Sequence, residues 1–151
     1  MRKLFYAAFS YMIIGVLSGL YYRELTKSRE FSSSEFSQLP LVHTHVLTLG
    51  FVVLTIILVL EHQFKLSQSK LFNWFFWTYN IGLILTAGML AVRGTMTVVG
   101  SEPGPATAGI SGLGHIFLTM GMVLLFLNLR TALKPHFQVG SSAPQVESAI
   151  L

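Results

Sequence analysis

Pro40-Leu41-Val42-His43-Thr44-His45-Val46-Leu47-Thr48-Leu49-Gly50-Phe51 opens an apolar run that continues to Leu60 without an acidic residue, lysine or arginine. A helix needs ~20 mostly apolar residues to cross the hydrocarbon of a bilayer, and 41–60 satisfies this. Three further stretches do so as well: 4–22, 71–92 and 110–129. The sequence therefore predicts an all-α, integral membrane four-helix bundle. Residues 1–135 form its transmembrane domain and 136–151 a C-terminal tail.

Composition agrees, since 52% of the 151 residues are hydrophobic and 11% charged, which is membrane-like before any segment is read. All six acidic residues are glutamates, and the ten basic residues are scattered among helix ends and loops. Dispersed charge of this kind flanks a membrane; it does not build a nucleic-acid footprint. Cysteine is absent, which excludes disulfides, thiolate zinc sites, iron-sulfur clusters and covalently attached c-type haem. Histidine, methionine and carboxylate are left as ligands for any metal.

Arg2 and Lys3 precede the first run, but that run is long, ends in Tyr21-Tyr22-Arg23-Glu24 and lacks a small-residue cleavage site, so it reads as a retained helix. Arg2, Lys3, Lys65, Lys70, Arg130 and Lys134 outnumber Arg23, Lys27, Arg29 and Arg93 at the opposite helix ends. The positive-inside bias then predicts a multi-pass cell-membrane protein with both termini cytoplasmic. The connection 26–38 is polar and Ser-rich, with Pro40 suited to the first turn of the second helix. The short stretch 61–70 makes helices two and three antiparallel neighbours, and 94–109, rich in glycine and proline, reads as an irregular loop.

His43, His45 and His115 stand out against this apolar background. An ionisable side chain persists inside a membrane where it faces a partner, an ion or a cofactor. At ~1.5 Å per residue, His45 lies roughly 8 Å below the start of its helix, and His115 lies at a similar depth in the fourth. His43 and His45 point about 200° apart, so they cannot both serve one central metal. One faces the bundle, with His45 favoured as the deeper ligand and His43 close behind. The other meets the loop, a lipid headgroup or a second subunit.

Two histidines from different helices at one depth are the minimum for a six-coordinate haem b, which neutral imidazoles bind from both faces. Gly112 and Gly114 beside His115, and Gly50 below His43, remove side chains where a macrocycle needs room. Arg23 and Arg93, at outer helix ends, suit the propionates. With both axial positions filled, the expected role is electron transfer or haem handling. With one open position it is diatomic gas binding or a haem-dependent oxidoreductase. His62 and His136 lie beside basic segments and read as solvated, Met12, Met89, Met96, Met120 and Met122 read as packing, and Asn80 as an interhelical hydrogen bond.

The whole chain to about Arg130 resembles a family of small uncharacterised four-helix bacterial membrane proteins, through 15–24, 41–51, 66–83 and 109–115. The segment from Val42 to Phe51 also resembles the His-bearing helix of haem-copper oxidase catalytic subunits and related membrane haem proteins, where a histidine near the outer helix end is an axial ligand. That resemblance implies haem ligation by His43 or His45. Four helices with so few intramembrane histidines cannot rebuild a haem-copper centre. Two other readings stand beside haem: a copper or zinc transport or delivery protein, and a cofactor-free accessory subunit. The expected partners are the lipid bilayer, further copies of the chain in a homo-oligomer and, for an electron carrier, a redox partner; no nucleic acid is expected.

Overall fold

In a computed structural model of the chain, residues 1–32 and 35–141 are described, 135–141 as backbone. Four long helices follow one another: α1 (Arg2–Ser28), α2 (Leu39–Phe64), α3 (Lys70–Val98) and α4 (Pro105–Ser141). All four are long and apolar enough to span a membrane. Among the described residues no strand forms. Between 22% and 33% of each span's most apolar window is buried within the chain, so most of the helix surface is left for lipid or another protein.

The helices run beyond the apolar stretches that announce them. Charges such as Arg23 and Arg93 end a hydropathy run but do not interrupt backbone hydrogen bonding. α1 continues to Ser28, and the chain turns where Glu30 takes a left-handed conformation (φ 51°). At the start of α3 the Ser69 hydroxyl caps the Leu71 amide at 3.1 Å. The expected irregular loop over 94–109 is corrected to 99–104: Gly94 lies within α3, Gly100 turns the chain at φ 77°, and Pro105 opens α4. Of the expected tail, 136–141 prolongs α4; 142–151 lies outside the described residues.

α4 packs along α3, and α1 packs along α2. The α3–α4 contact brings backbone against backbone. A side chain on Gly82 would begin 2.5 Å from the Leu118 amide nitrogen, and one on Gly121 would begin 2.9 Å from Tyr79 Cα. Small residues at a helix crossing permit this approach, which dispersion then stabilises. The α1–α2 contact is reciprocal: Leu47 fills the notch at Gly15 and Tyr11 the notch at Gly50. Leu39 of α2 sits on Gly94 of α3, and the Tyr11 hydroxyl donates to Asn80 Oδ1 at 2.8 Å, so Asn80 makes the interhelical bond expected of it.

One feature of α2 has no mark in the sequence. Val46–Val52 winds as a π-helix, directly after the two histidines. The Val53 amide bonds to the Thr48 carbonyl, five residues back, and so bypasses Leu49. The Tyr79 hydroxyl of α3 donates to the Leu49 carbonyl at 3.0 Å. Tyr79 is fully buried, so Tyr79→Phe leaves that carbonyl without a partner inside the bundle. We expect a loss of about 1–3 kcal/mol, measurable as a lower unfolding temperature in detergent and faster amide exchange over 46–53. Unchanged exchange there would separate the π-turn from Tyr79.

At the opposite end, the turn between α2 and α3 is clasped by buried polar groups. Glu61 accepts from the Ser67 amide at 2.7 Å and from the Ser67 hydroxyl. Asn128 of α4 donates to the Leu66 carbonyl at 3.1 Å. These bonds hold α2, α3 and α4 together near Lys65, whose φ of 52° shapes the turn.

Candidate functional site

Leu39 meets Gly94, and the Leu49 carbonyl meets Tyr79, so His43 and His45 lie level with the part of α3 between those residues. Gly114 packs on Thr86 and Gly82, which brings His115 to the same level. The histidines therefore lie in the half of the bundle at which α2 and α4 begin, His43 and His45 four and six residues into α2 and His115 ten residues into α4.

Their rings share a second property. His43 Nδ1 bonds to the Pro40 carbonyl at 3.2 Å, His45 Nδ1 to the Leu41 carbonyl at 2.8 Å, and His115 Nδ1 to the Ser111 carbonyl at 2.9 Å. A carbonyl only accepts, so each Nδ1 carries the proton and, in the neutral ring, each Nε2 keeps its lone pair for a ligand. A helix carbonyl behind the ring is the support that a metal-bound imidazole requires.

Their surroundings differ. His43 turns toward α1, with its Cγ 3.9 Å from the point where a Gly19 side chain would begin; it is exposed. His45 is half-buried. His115 is exposed on α4 beside Ile116, Thr119 and Met120, along an apolar furrow. Among the described residues, no three His, Cys, Asp or Glu side chains come together as a metal-binding group. The three histidines thus do not form one three-ligand cluster. His62 is exposed near the far end, and the side chain of His136 lies outside the described residues.

The glycines divide. The space beside Gly50 is filled by Tyr11 and that beside Gly114 by Thr86, so both serve helix packing. Gly112 has no neighbour within 4 Å of where a side chain would begin, and its face is open.

The arginines divide too. Arg23 is 72% exposed and lies 3.8 Å from Glu24. Arg93 is partly buried, and its Nε has neither water access nor a hydrogen-bond partner. The fully buried Thr86 hydroxyl also lacks a partner. These are the two such side-chain atoms among the described residues, and they lie seven residues apart on one face of α3. A buried guanidinium nitrogen without an acceptor is costly, and an anion beside it removes the cost.

The fold and site thus define a protein of four helices long and apolar enough to cross a membrane, with imidazoles in one half and, near the start of α2, a cation short of an acceptor. Residues 1–132 match the family described as "Protein of unknown function (DUF2871)", and the chain belongs to that family. No curated protein and no solved structure matches the chain.

Proposed function

We propose that this is a membrane b-type haem-binding protein in which His45 and His115 are the axial ligands. The observation that supports the reading is the shared ring setting: Nδ1 of His45 lies 2.8 Å and Nδ1 of His115 2.9 Å from a helix carbonyl, which leaves Nε2 of each for a ligand. Gly82 and Gly94, which meet α4 and α2, lie twelve residues apart on α3, or about 120° around it. α2 reaches α4 through Val53–Phe64, whereas its first half packs on α1 and α3. A corner between α2 and α4 is therefore left open at the histidine end. His45 lies about 200° around α2 from Leu47, which packs on α1, and His115 about 100° around α4 from Gly114, which packs on α3; a haem in this corner would take Nε2 from each. His43, beside Gly19, faces α1 and stands apart.

Arg93 suits a propionate, since a carboxylate beside its Nε supplies the missing acceptor. Haem held there would supply one-electron chemistry, and two bound imidazoles leave no position for a substrate, which favours electron transfer or haem handling over catalysis. The corner opens outward from the chain, so a second copy or lipid completes its wall, in keeping with a homo-oligomer. With both termini cytoplasmic, the site lies in the outer half of the cell membrane.

Absorption spectroscopy of protein purified in detergent from haem-supplemented cells tests the reading. A sharp Soret band with low-spin visible bands is expected, and a colourless protein carrying copper or zinc would replace haem with the transport reading. Arg93→Ala is expected to release haem about tenfold faster, the effect of losing one charge-assisted bond, with the low-spin spectrum unchanged. An altered spectrum in that variant would make Arg93 a neighbour of the iron and not of the propionates.

A further inference from the structure

A trough between α1 and α3 opens at the end of the bundle away from the histidines. Its body, a hollow of about 490 Å³, is lined by Tyr6, Ala7 and Ser10 of α1 and by Phe76, Trp77 and Ile84 of α3. Its mouth is a second hollow of about 260 Å³, bordered by Arg2, Lys3 and Asn73. Lys3 and Phe76 border both, so the two are continuous. Tyr6, Trp77 and Ile84 are more than half exposed, which leaves a substantial apolar surface uncovered.

The polar groups are arranged along this trough in one direction. Asn80, a polar residue at mid-depth beside Ser10, is engaged within the bundle: its Oδ1 accepts from Tyr11, and its Nδ2 donates to the Phe76 carbonyl at 2.7 Å. It is also buried, and the lining beyond the mouth is mostly apolar, so the trough there suits hydrocarbon. Arg2 and Lys3 have no acidic partner among the described residues. Glu61, bonded to Ser67 at the mouth, is buried and takes both Ser67 donors. From Asn73 to Ile84 the trough extends roughly 16 Å along α3, close to the ~15 Å half-thickness of bilayer hydrocarbon.

We infer that this trough is a binding site for an anionic phospholipid, whose phosphate sits at Arg2 and Lys3 and whose acyl chain lies along Phe76, Trp77 and Ile84. Two observations on opposite ends of the trough select this occupant: unpaired cations at headgroup level and an unpolar furrow of one leaflet's depth. Basic pockets between transmembrane helices recognise anionic headgroups on this physical ground. The site is separate from the histidines and holds whether or not haem is bound.

Trp77 reports on it directly. The full chain carrying Trp74→Phe, reconstituted in mixtures of brominated phosphatidylglycerol and unbrominated phosphatidylcholine, should show Trp77 quenching at low phosphatidylglycerol fractions. At about fivefold per surface charge, the preference expected is some 25-fold. Arg2→Gln with Lys3→Gln should abolish that preference, whereas Arg130→Gln with Lys134→Gln, equally basic but outside the trough, should keep it. Helix content by circular dichroism establishes that each variant is folded. Quenching that follows the bulk lipid ratio, or equal loss in both double variants, would overturn the proposal. So would efficient disulfide formation between copies carrying Ser10→Cys, feasible because the chain has no cysteine of its own, since a second copy would then occupy the trough.

Discussion

Replacing His115 with alanine is expected to abolish the six-coordinate haem spectrum, and His45→Ala to do the same, while His43→Ala keeps it. On the proposed assignment each loss would remove an iron ligand that a neighbouring side chain could not replace. His43 cannot move in, because it stands on the α1 side of α2 beside Gly19, two residues and about 200° from His45. Loss of a group that merely supports a ligand weakens binding about 10–100-fold, and loss of the ligand itself should exceed that. Spectra and haem content of the three variants, compared at matched helix content, read the effect. Added imidazole should restore the low-spin bands in His115→Gly, as expected if only the ligand atom is missing. Retention of the spectrum in both His45→Ala and His115→Ala would remove the site.

The second large effect falls on the fold itself. Gly82→Ala places a methyl group 2.5 Å from the Leu118 amide nitrogen and 2.9 Å from the Gly114 carbonyl oxygen. Both obstacles are backbone, so the helices must part along the contact that carries α4. Overpacking of a formed core costs about 1–3 kcal/mol, and the upper end is expected here. Gly112→Ala is the control: nothing lies within 4 Å, and alanine is the better helix former by about 0.5–1 kcal/mol. Thermal unfolding in detergent should move in opposite directions for the two variants. Equal behaviour would mean that α3 and α4 do not approach as closely as described.

The four spans were legible because a membrane helix needs a long uncharged run, and 4–22, 41–60, 71–92 and 110–129 each supply one. Their ends were less so, since residues such as Thr26 and Gly94 continue a helix equally well in water or lipid. The π-turn was not legible, because nothing in Val46-Leu47-Thr48-Leu49-Gly50-Phe51-Val52 forbids an ordinary α-helix; the Tyr79 hydroxyl, thirty residues away, receives the displaced carbonyl. Glycine marks a missing side chain but not what takes its place. For Gly50 that is Tyr11 and for Gly114 it is Thr86, whereas Gly112 faces open space. That the histidines lie toward one end of the bundle followed from counting residues, although α4 opens at Pro105 and sets His115 ten residues into its helix against six for His45. The separation of Arg93 from Arg23 did not, because burial of one nitrogen depends on how α3 sits against its neighbours.

Chemical analysis of the wild-type protein, purified in detergent from haem-replete cells, bears on the central claim most directly. The account predicts one haem b per chain, without stoichiometric copper or zinc. Protein that is folded and helical yet carries no haem, with or without another metal, would contradict it.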